Sequence, residues 1–356
     1  MSAANFKTTS LSEPSSSQRR ETEAKRLRAC VNALVKVSFS LTGNAASEVR
    51  QEILQDEKFY SLCHSISAIR LGEQSTKVVD DARISLQALR ALAVLAPLPD
   101  TLSSCVQTLA GRVCERLENL SSSDKATFDW ACRRLHVDER VQRLAGEAFK
   151  ELALPFSISI GDSAGILEDV ASFEELRKEI PFKAEKLLTR DGRQVLERRE
   201  TCWMAEEGIG GLAYSGKIMS PTPFTPAVTR VRDVLFERTN VRYDCCLINL
   251  YPDGDSACKW HTDPDHGRLW SLEATSFGET RRFNLRRIPE PKSRQEEEEE
   301  EKFSFHVFEG DTMHMFRDCQ DTFEHCVLKA EGEHNLGPRI SIVFKKALIS
   351  PSGKSF

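Results

Sequence analysis

The string Trp260-His261-Thr262-Asp263-Pro264-Asp265 sets an imidazole and a carboxylate two residues apart. In an extended segment positions i and i+2 share a face, so His261 and Asp263 can reach one ion together. Six of the eight histidines lie beyond residue 260, and one of them, His325, sits in a second β-rich string, Thr322-Phe323-Glu324-His325-Cys326-Val327. Two histidines and one carboxylate form a facial set that holds ferrous iron and leaves three positions open for a bidentate cosubstrate and dioxygen. Zinc would favour a more closed tetrahedral set. His306 and His314 are rival ligands, but each lies in an alternating run where an imidazole is usually packed or hydrogen-bonded. Downstream, Pro338-Arg339-Ile340-Ser341-Ile342-Val343-Phe344 presents a guanidinium, whose fixed donor fork suits a carboxylate.

The elements that must position these groups come in two textures. Leu27, Val31, Leu34 and Val35 recur at helical spacing, as do Leu86, Leu89 and Leu92, then Val106, Leu109, Val113 and Leu117. Short breakers separate them, and Ser121 to Asp124 reads as an N-cap for a helix through Trp130. A helical bundle or a stacked helical array fits this half. From Pro155 the chain turns to short β-rich runs, Asp244–Tyr251, Arg281–Arg286, Phe303–Phe308, Thr312–Phe316 and Arg339–Phe344, with flanking helices around Leu176 and Val231. The expected class is α+β. It comprises a tail over 1–18, an all-helical domain over 19–152, a mostly antiparallel β domain over 153–350 with an acidic loop at 290–302, and a tail over 351–356.

The 356 residues, 40% hydrophobic and 29% charged, suit about two globular domains and no membrane span. A net charge of −5 predicts no strong global attraction to nucleic acid, so any such contact must be local. Eleven cysteines without a C-x-x-C pair, and no secretory signal, point to a reducing compartment, nucleus or cytoplasm, with organelle import left open. Arg19, Arg20, Lys25, Arg26 and Arg28 read as a solvated helix face or a contact for RNA. The helical domain's partner, protein or RNA, stays open, and a monomer is expected.

Residues 155 to 348 resemble the AlkB-like dioxygenases that depend on iron(II) and 2-oxoglutarate. The resemblance rests on the order of Leu247-Ile248-Asn249-Leu250-Tyr251, the string His261 to Asp265, Ser276-Phe277-Gly278, Gly310-Asp311-Thr312, Glu324-His325 and Gly337-Pro338-Arg339. It implies a double-stranded β-helix, or jelly roll, with a lid that recognises the nucleotide. It also implies that His261, Asp263 and His325 bind Fe(II), that Arg339 pairs with the distal carboxylate of 2-oxoglutarate, and that Asn249 and Tyr251 hydrogen-bond to it. Lys345 stands where the family usually has a second arginine, and is expected at the cosubstrate end; lysine keeps the charge but loses the planar fork. Trp203 and Tyr214 fall where the lid supplies aromatics to stack a flipped base, and Asp265 matches the residue facing the base edge.

The implied reaction is oxidative demethylation of N-alkylated nucleobases in DNA or RNA, as in alkylation repair, with O2 as second cosubstrate and formaldehyde, succinate and CO2 as products. A protein side-chain hydroxylase or demethylase, and an inactive nucleic-acid-binding module, are the alternatives. The glutamate run Glu296 to Glu301 would repel phosphates at short range, which favours single-stranded substrates.

Overall fold

The structure is a computed structural model that describes residues 16–39, 46–69, 78–161, 167, 169–184, 186–188, 191–214, 217–263, 272–289, 301–330 and 336–346. Seven helices come first: α1 (Ser16–Phe39), α2 (Ala46–Gln55), α3 (Glu57–Ala68), α4 (Val78–Leu95), α5 (Ser103–Cys114), α6 (Ser122–Arg134) and α7 (Glu139–Glu151). Helix α4 is their centre, packed against α1, α5 and α6, with Ala88, Leu89, Ala91, Leu92 and Leu95 fully buried. The expected cap is present: Ser121 Oγ accepts from the Asp124 N–H. On α1, Leu27, Val31 and Leu34 are buried while Lys25, Arg26 and Arg28 are exposed, as an amphipathic stripe requires. No helix among the described residues is long and apolar enough to cross a membrane.

The β part begins with β1 (Phe156–Ser159), followed by helix α8 (Phe173–Glu179), β2 (Lys186–Leu188), β3 (Gln194–Leu196), β4 (Glu200–Ala205), β5 (Leu212–Tyr214), β6 (Lys217–Met219) and helix α9 (Pro226–Thr239). Then come β7 (Cys245–Tyr251), β8 (Cys258–His261), β9 (Leu272–Gly278), β10 (Arg281–Arg287), β11 (Lys302–Val307), β12 (Thr312–Met315), a single turn α10 (Cys319–Thr322), β13 (Phe323–Val327) and β14 (Arg339–Lys345). A six-stranded sheet runs β1-β12-β9-β14-β7-β4 and a four-stranded sheet runs β11-β10-β13-β8, antiparallel throughout. Two short hairpins, β2-β3 and β5-β6, flank β4 in the chain.

Strand β14 shows how sequence period sets the layers. Ile340, Ile342 and Phe344 point to one side and pack with Leu176 of α8 and Val228, Val231 and Leu235 of α9. Ser341 and Val343 point to the other side, where the two sheets enclose a cavity. Strand β7 repeats the device, with Ile248 and Leu250 toward the helices and Leu247, Asn249 and Tyr251 toward the cavity.

Helix gives way to strand between α7 and β1, and the apolar core runs through that point. One buried cluster extends from Leu27 to Val327. Phe156 of β1 lies 6.4 Å from Phe149 of α7 and 5.2 and 5.3 Å from Phe303 and Phe323, all edge-on. Arg134 of α6 pairs with the fully buried Asp311 at 3.5 Å and covers the ring of Phe308. The helical layer is thus the outer wall of the smaller sheet. The glutamate run lies outside the described residues except for Glu301, which holds Arg287 at 3.1 Å.

Candidate metal and cosubstrate site

Strands β8 and β13 pair so that His325 stands opposite His261, and Asp263 follows two residues later. The ligand atoms of His261, Asp263 and His325 all lie within 4.8 Å of one another. His325 Nε2 is 3.9 Å from Asp263 Oδ2, and the His325 ring is stacked on Phe283 at 5.5 Å. His261 Nδ1 is 2.7 Å from the Lys259 carbonyl, which can only accept, so Nδ1 carries the proton and Nε2 keeps its lone pair.

Electrostatics prepare the same three groups. Burial first, then His261, pushes His325 down to about 3, so it is a neutral ligand. Burial acts to raise the Asp263 carboxyl, but Lys345 foremost, then His325 and His261, overcome it and hold the group well below the usual carboxylate range. For His261, burial acts downward and the neighbouring Cys258 and Asp263 outweigh it, giving a net rise. Asp263 Oδ2 is buried and has no hydrogen-bond partner among the described residues.

The cavity beside the triad is walled by Leu247, Asn249 and Val343 from one sheet and Phe283, His325 and Val327 from the other. Arg339 lies behind the cavity wall, 2% exposed, opposite Tyr251 and Gly278 in register, with its guanidinium 5.4 Å from the centre of the Tyr251 ring. Gly278 has φ +83°, and a Cβ there would come within 2.6 Å of the Pro338 carbonyl oxygen, so the chain needs glycine beside this arginine. Arg339 Nη2 donates to Ser276 Oγ at 2.8 Å, while Nε and Nη1 are buried without a partner among the described residues. Burial lowers its pKa to about 10, the mark of a cation in want of an anion. Asn249 Oδ1 is likewise buried and unpartnered. Two imidazoles and a carboxylate on one face, with a buried guanidinium holding unspent donors, fit a ferrous ion and a dicarboxylate.

A sequence profile of the 2OG-Fe(II) oxygenase superfamily matches residues 167–345, half of the chain. The chain belongs to that superfamily. Among its relatives, the uncharacterized protein R406 of Acanthamoeba polyphaga mimivirus is 36% identical over 176 residues, 49% of this chain and 86% of the viral protein. The bovine alpha-ketoglutarate-dependent dioxygenase alkB homolog 3 is 28% identical over 184 residues, 51% of this chain and 62% of that protein. The DNA oxidative demethylase ALKBH2 of Arabidopsis thaliana is 28% identical over 130 residues, 35% of this chain and 40% of that protein. The oxygenase is therefore AlkB-like, and its family implies Fe(II), 2-oxoglutarate and O2. The helical layer precedes the matched region.

The oxygenase brings His261, Asp263, His325, Asn249 and Tyr251 to one cavity, with Arg339 beside Tyr251. Lys345 is not with Arg339: its Nζ lies 3.2 Å from Asp263 Oδ1. Six residues of strand carry it about 20 Å along β14, from the cosubstrate end to the metal ligand. Trp203 also departs from its expected place on the base-binding wall. It is 3% exposed, packed with Leu212 and Met219, and its indole N–H donates to the Gly210 carbonyl at 3.1 Å, so it roots the β5-β6 hairpin. Tyr214 ends β5, and its side chain, like the whole of Asp265, lies outside the described residues. The rivals sit elsewhere: His306 packs beside Trp130 of α6 at 6.4 Å, and His314 beside Phe316 at 5.0 Å.

Sequence reasoning missed Arg199, buried with Glu197 at 3.1 Å on the cavity wall, and Cys258, whose Sγ is 3.5 Å from His261 Nδ1. It also missed Gln320, which accepts from the Asp263 N–H at 2.8 Å. The Arg198-Arg199 pair carried no pattern that separates a buried arginine from a surface one. Period two in β8 places Cys258 two residues from Trp260, not on a recognisable motif.

Proposed function

We propose that the protein is an Fe(II)- and 2-oxoglutarate-dependent dioxygenase that removes N-alkyl groups from nucleobases of DNA or RNA, in alkylation repair, with its two sheets closed as a double-stranded β-helix. The observation that carries the reading is the His261, Asp263, His325 set on one cavity, with the buried Arg339 and its unspent donors beside Tyr251 of the same cavity wall. The likeness to the Arabidopsis DNA oxidative demethylase supports the substrate class.

When bound, Fe(II) with 2-oxoglutarate and O2 supplies the oxidant that hydroxylates the N-alkyl carbon, leaving succinate and CO2. A hydroxylated N-methyl group falls apart into formaldehyde and the free base, so no protein nucleophile is needed. His261, Asp263 and His325, whose ligand atoms cluster within 4.8 Å, would hold the ion. Arg339 anchors the distal carboxylate, with Asn249 and Tyr251 along the length of the cosubstrate. Leu247, Phe283, Val327 and Val343 supply the apolar part of the cavity wall, which would limit water beside the reacting group. The hairpins beside β4, with Tyr214 on the second, form the lid over the base. The acidic run 296–301 disfavours a second strand, so single-stranded substrates are preferred.

The test is release of formaldehyde and succinate from a panel of methylated oligonucleotides, set against methylated peptides, with Fe(II) and ascorbate present. Turnover on oligonucleotides is expected. Turnover on peptides alone would reassign the substrate class, and none on either would favour a binding module.

A further inference from the structure

Asp263 is gripped from two sides by residues of two different elements. Lys345, the last residue of β14, places its Nζ 3.2 Å from Oδ1, and both side chains are nearly buried, at 4% and 8% exposure. Gln320, in α10, accepts the Asp263 backbone N–H at 2.8 Å and is itself tied through Nε2 to Met315 Sδ at 3.4 Å. The only carboxylate oxygen left unspent is Oδ2, buried and turned toward His325 Nε2.

We infer that Lys345 is a positioning residue for the metal ligand and not a cosubstrate-binding residue: as a buried counter-ion it ties Oδ1, so that with Gln320 it leaves Asp263 a single oxygen to offer the ion. The ammonium meets Oδ1 and leaves Oδ2 facing His325. Held this way, Asp263 would offer the ion one oxygen. The pair also keeps the metal-free site stable, because a buried carboxylate without its cation is strongly destabilising. Arg339 alone then answers for the distal carboxylate of the cosubstrate, at the far end of the same strand.

The inference rests on the metal site proposed above, and its test separates the two. Full-length wild type, Lys345→Met, Lys345→Arg and Arg339→Met are melted without metal, with Mn(II), and with Mn(II) plus 2-oxoglutarate. Lys345→Met should melt lower than wild type without metal and gain more on adding Mn(II), by about 5 °C or more, since the ion then relieves the stranded carboxylate. Its further gain with 2-oxoglutarate should match wild type, and Lys345→Arg should restore wild-type behaviour. If Lys345→Met keeps the wild-type metal-free melt and Mn(II) response, or loses the 2-oxoglutarate gain as Arg339→Met does, the inference is overturned. A wild type that ignores Mn(II) would instead defeat the metal-site reading itself. Should Lys345→Met not fold, Lys345→Gln, which keeps a donor and removes the charge, carries the same comparison.

Discussion

Arg339 is the most exacting point beside the cavity, because its cost and its use are separable. It is 2% exposed, donates through Nη2 to Ser276 Oγ, and leaves Nε and Nη1 without a hydrogen-bond partner among the described residues. A buried cation in that state burdens folding, and replacing such a group by an apolar residue of similar length is neutral or stabilising by about 1–4 kcal/mol. Arg339→Met should therefore melt at or above the wild-type temperature without 2-oxoglutarate. With cosubstrate the order inverts. Each hydrogen bond to a charged group contributes about 1.5–3 kcal/mol, so losing two of them to a carboxylate costs about 3–6 kcal/mol, or roughly two to four decades of affinity. Arg339→Lys keeps the charge and loses the fork, and should raise the KM for 2-oxoglutarate about 10- to 100-fold. Thermal shift against 2-oxoglutarate in the presence of Mn(II), with succinate release for the lysine variant, reads both. If Arg339→Met melts several degrees lower without cosubstrate and still shows the wild-type shift, the residue is a structural brace and the argument fails.

Three other outcomes follow from the geometry. His261→Ala and His325→Ala should each abolish succinate release and metal binding by Mn(II) titration with little change in fold, Asp263→Ala should abolish both and also melt lower because it strands the buried Lys345, and His314→Ala should be nearly silent; the reverse pattern would reassign the ligands. Phe156→Ala should cost about 3–5 kcal/mol in urea melts and keep one transition, because its ring joins Phe149 of the helical layer to Phe303 and Phe323 of the sheet; two separated transitions would show independent domains. Burial raises the Asp311 carboxyl to about 6, above an unfolded value near ~3.9, so the folded state holds this proton more tightly. Its contribution is present below pH ~4 and lost as pH rises through 6, on the order of 3 kcal/mol. Asp311→Asn should flatten that part of the stability profile, and an unchanged slope would place the titration elsewhere.

What could be read in advance was whatever two residues on one strand decide. The H-x-D spacing put His261 and Asp263 on one face, and strand alternation set Arg339 on the face of Ser341 and Val343, which line the cavity; that Ile340, Ile342 and Phe344 pack on α8 and α9 is seen only in the fold. Even the strand limits shift by only a residue or so, as in Cys245–Tyr251 and Arg339–Lys345. Strands β2, β3, β5 and β6 escaped because three residues are too few to show a period. Trp203 misled because an aromatic near a lid carries the same letter whether it stacks a base or roots a hairpin; only the bond to Gly210 and the packing on Met219 distinguish them.

The remaining differences share one cause, that pairing between distant segments is not encoded in local spacing. Lys345 was linked to Arg339 by a count of six, yet a strand turns that count into distance, and the partner it meets comes from the segment after β8. The same holds for the helical layer. Its stripes state that Trp130, Arg134 and Phe149 have a buried side, but not that the surface opposite them is β11, the Phe308 ring and β1. A texture change at residue 152 therefore marks where helix gives way to strand without marking where one core ends. The oxygenase match begins at residue 167, but the edge strand β1 and the wall behind β11 are supplied by residues before it. The folding unit that holds His325 and Arg339 in place is accordingly longer than the segment that carries the chemistry.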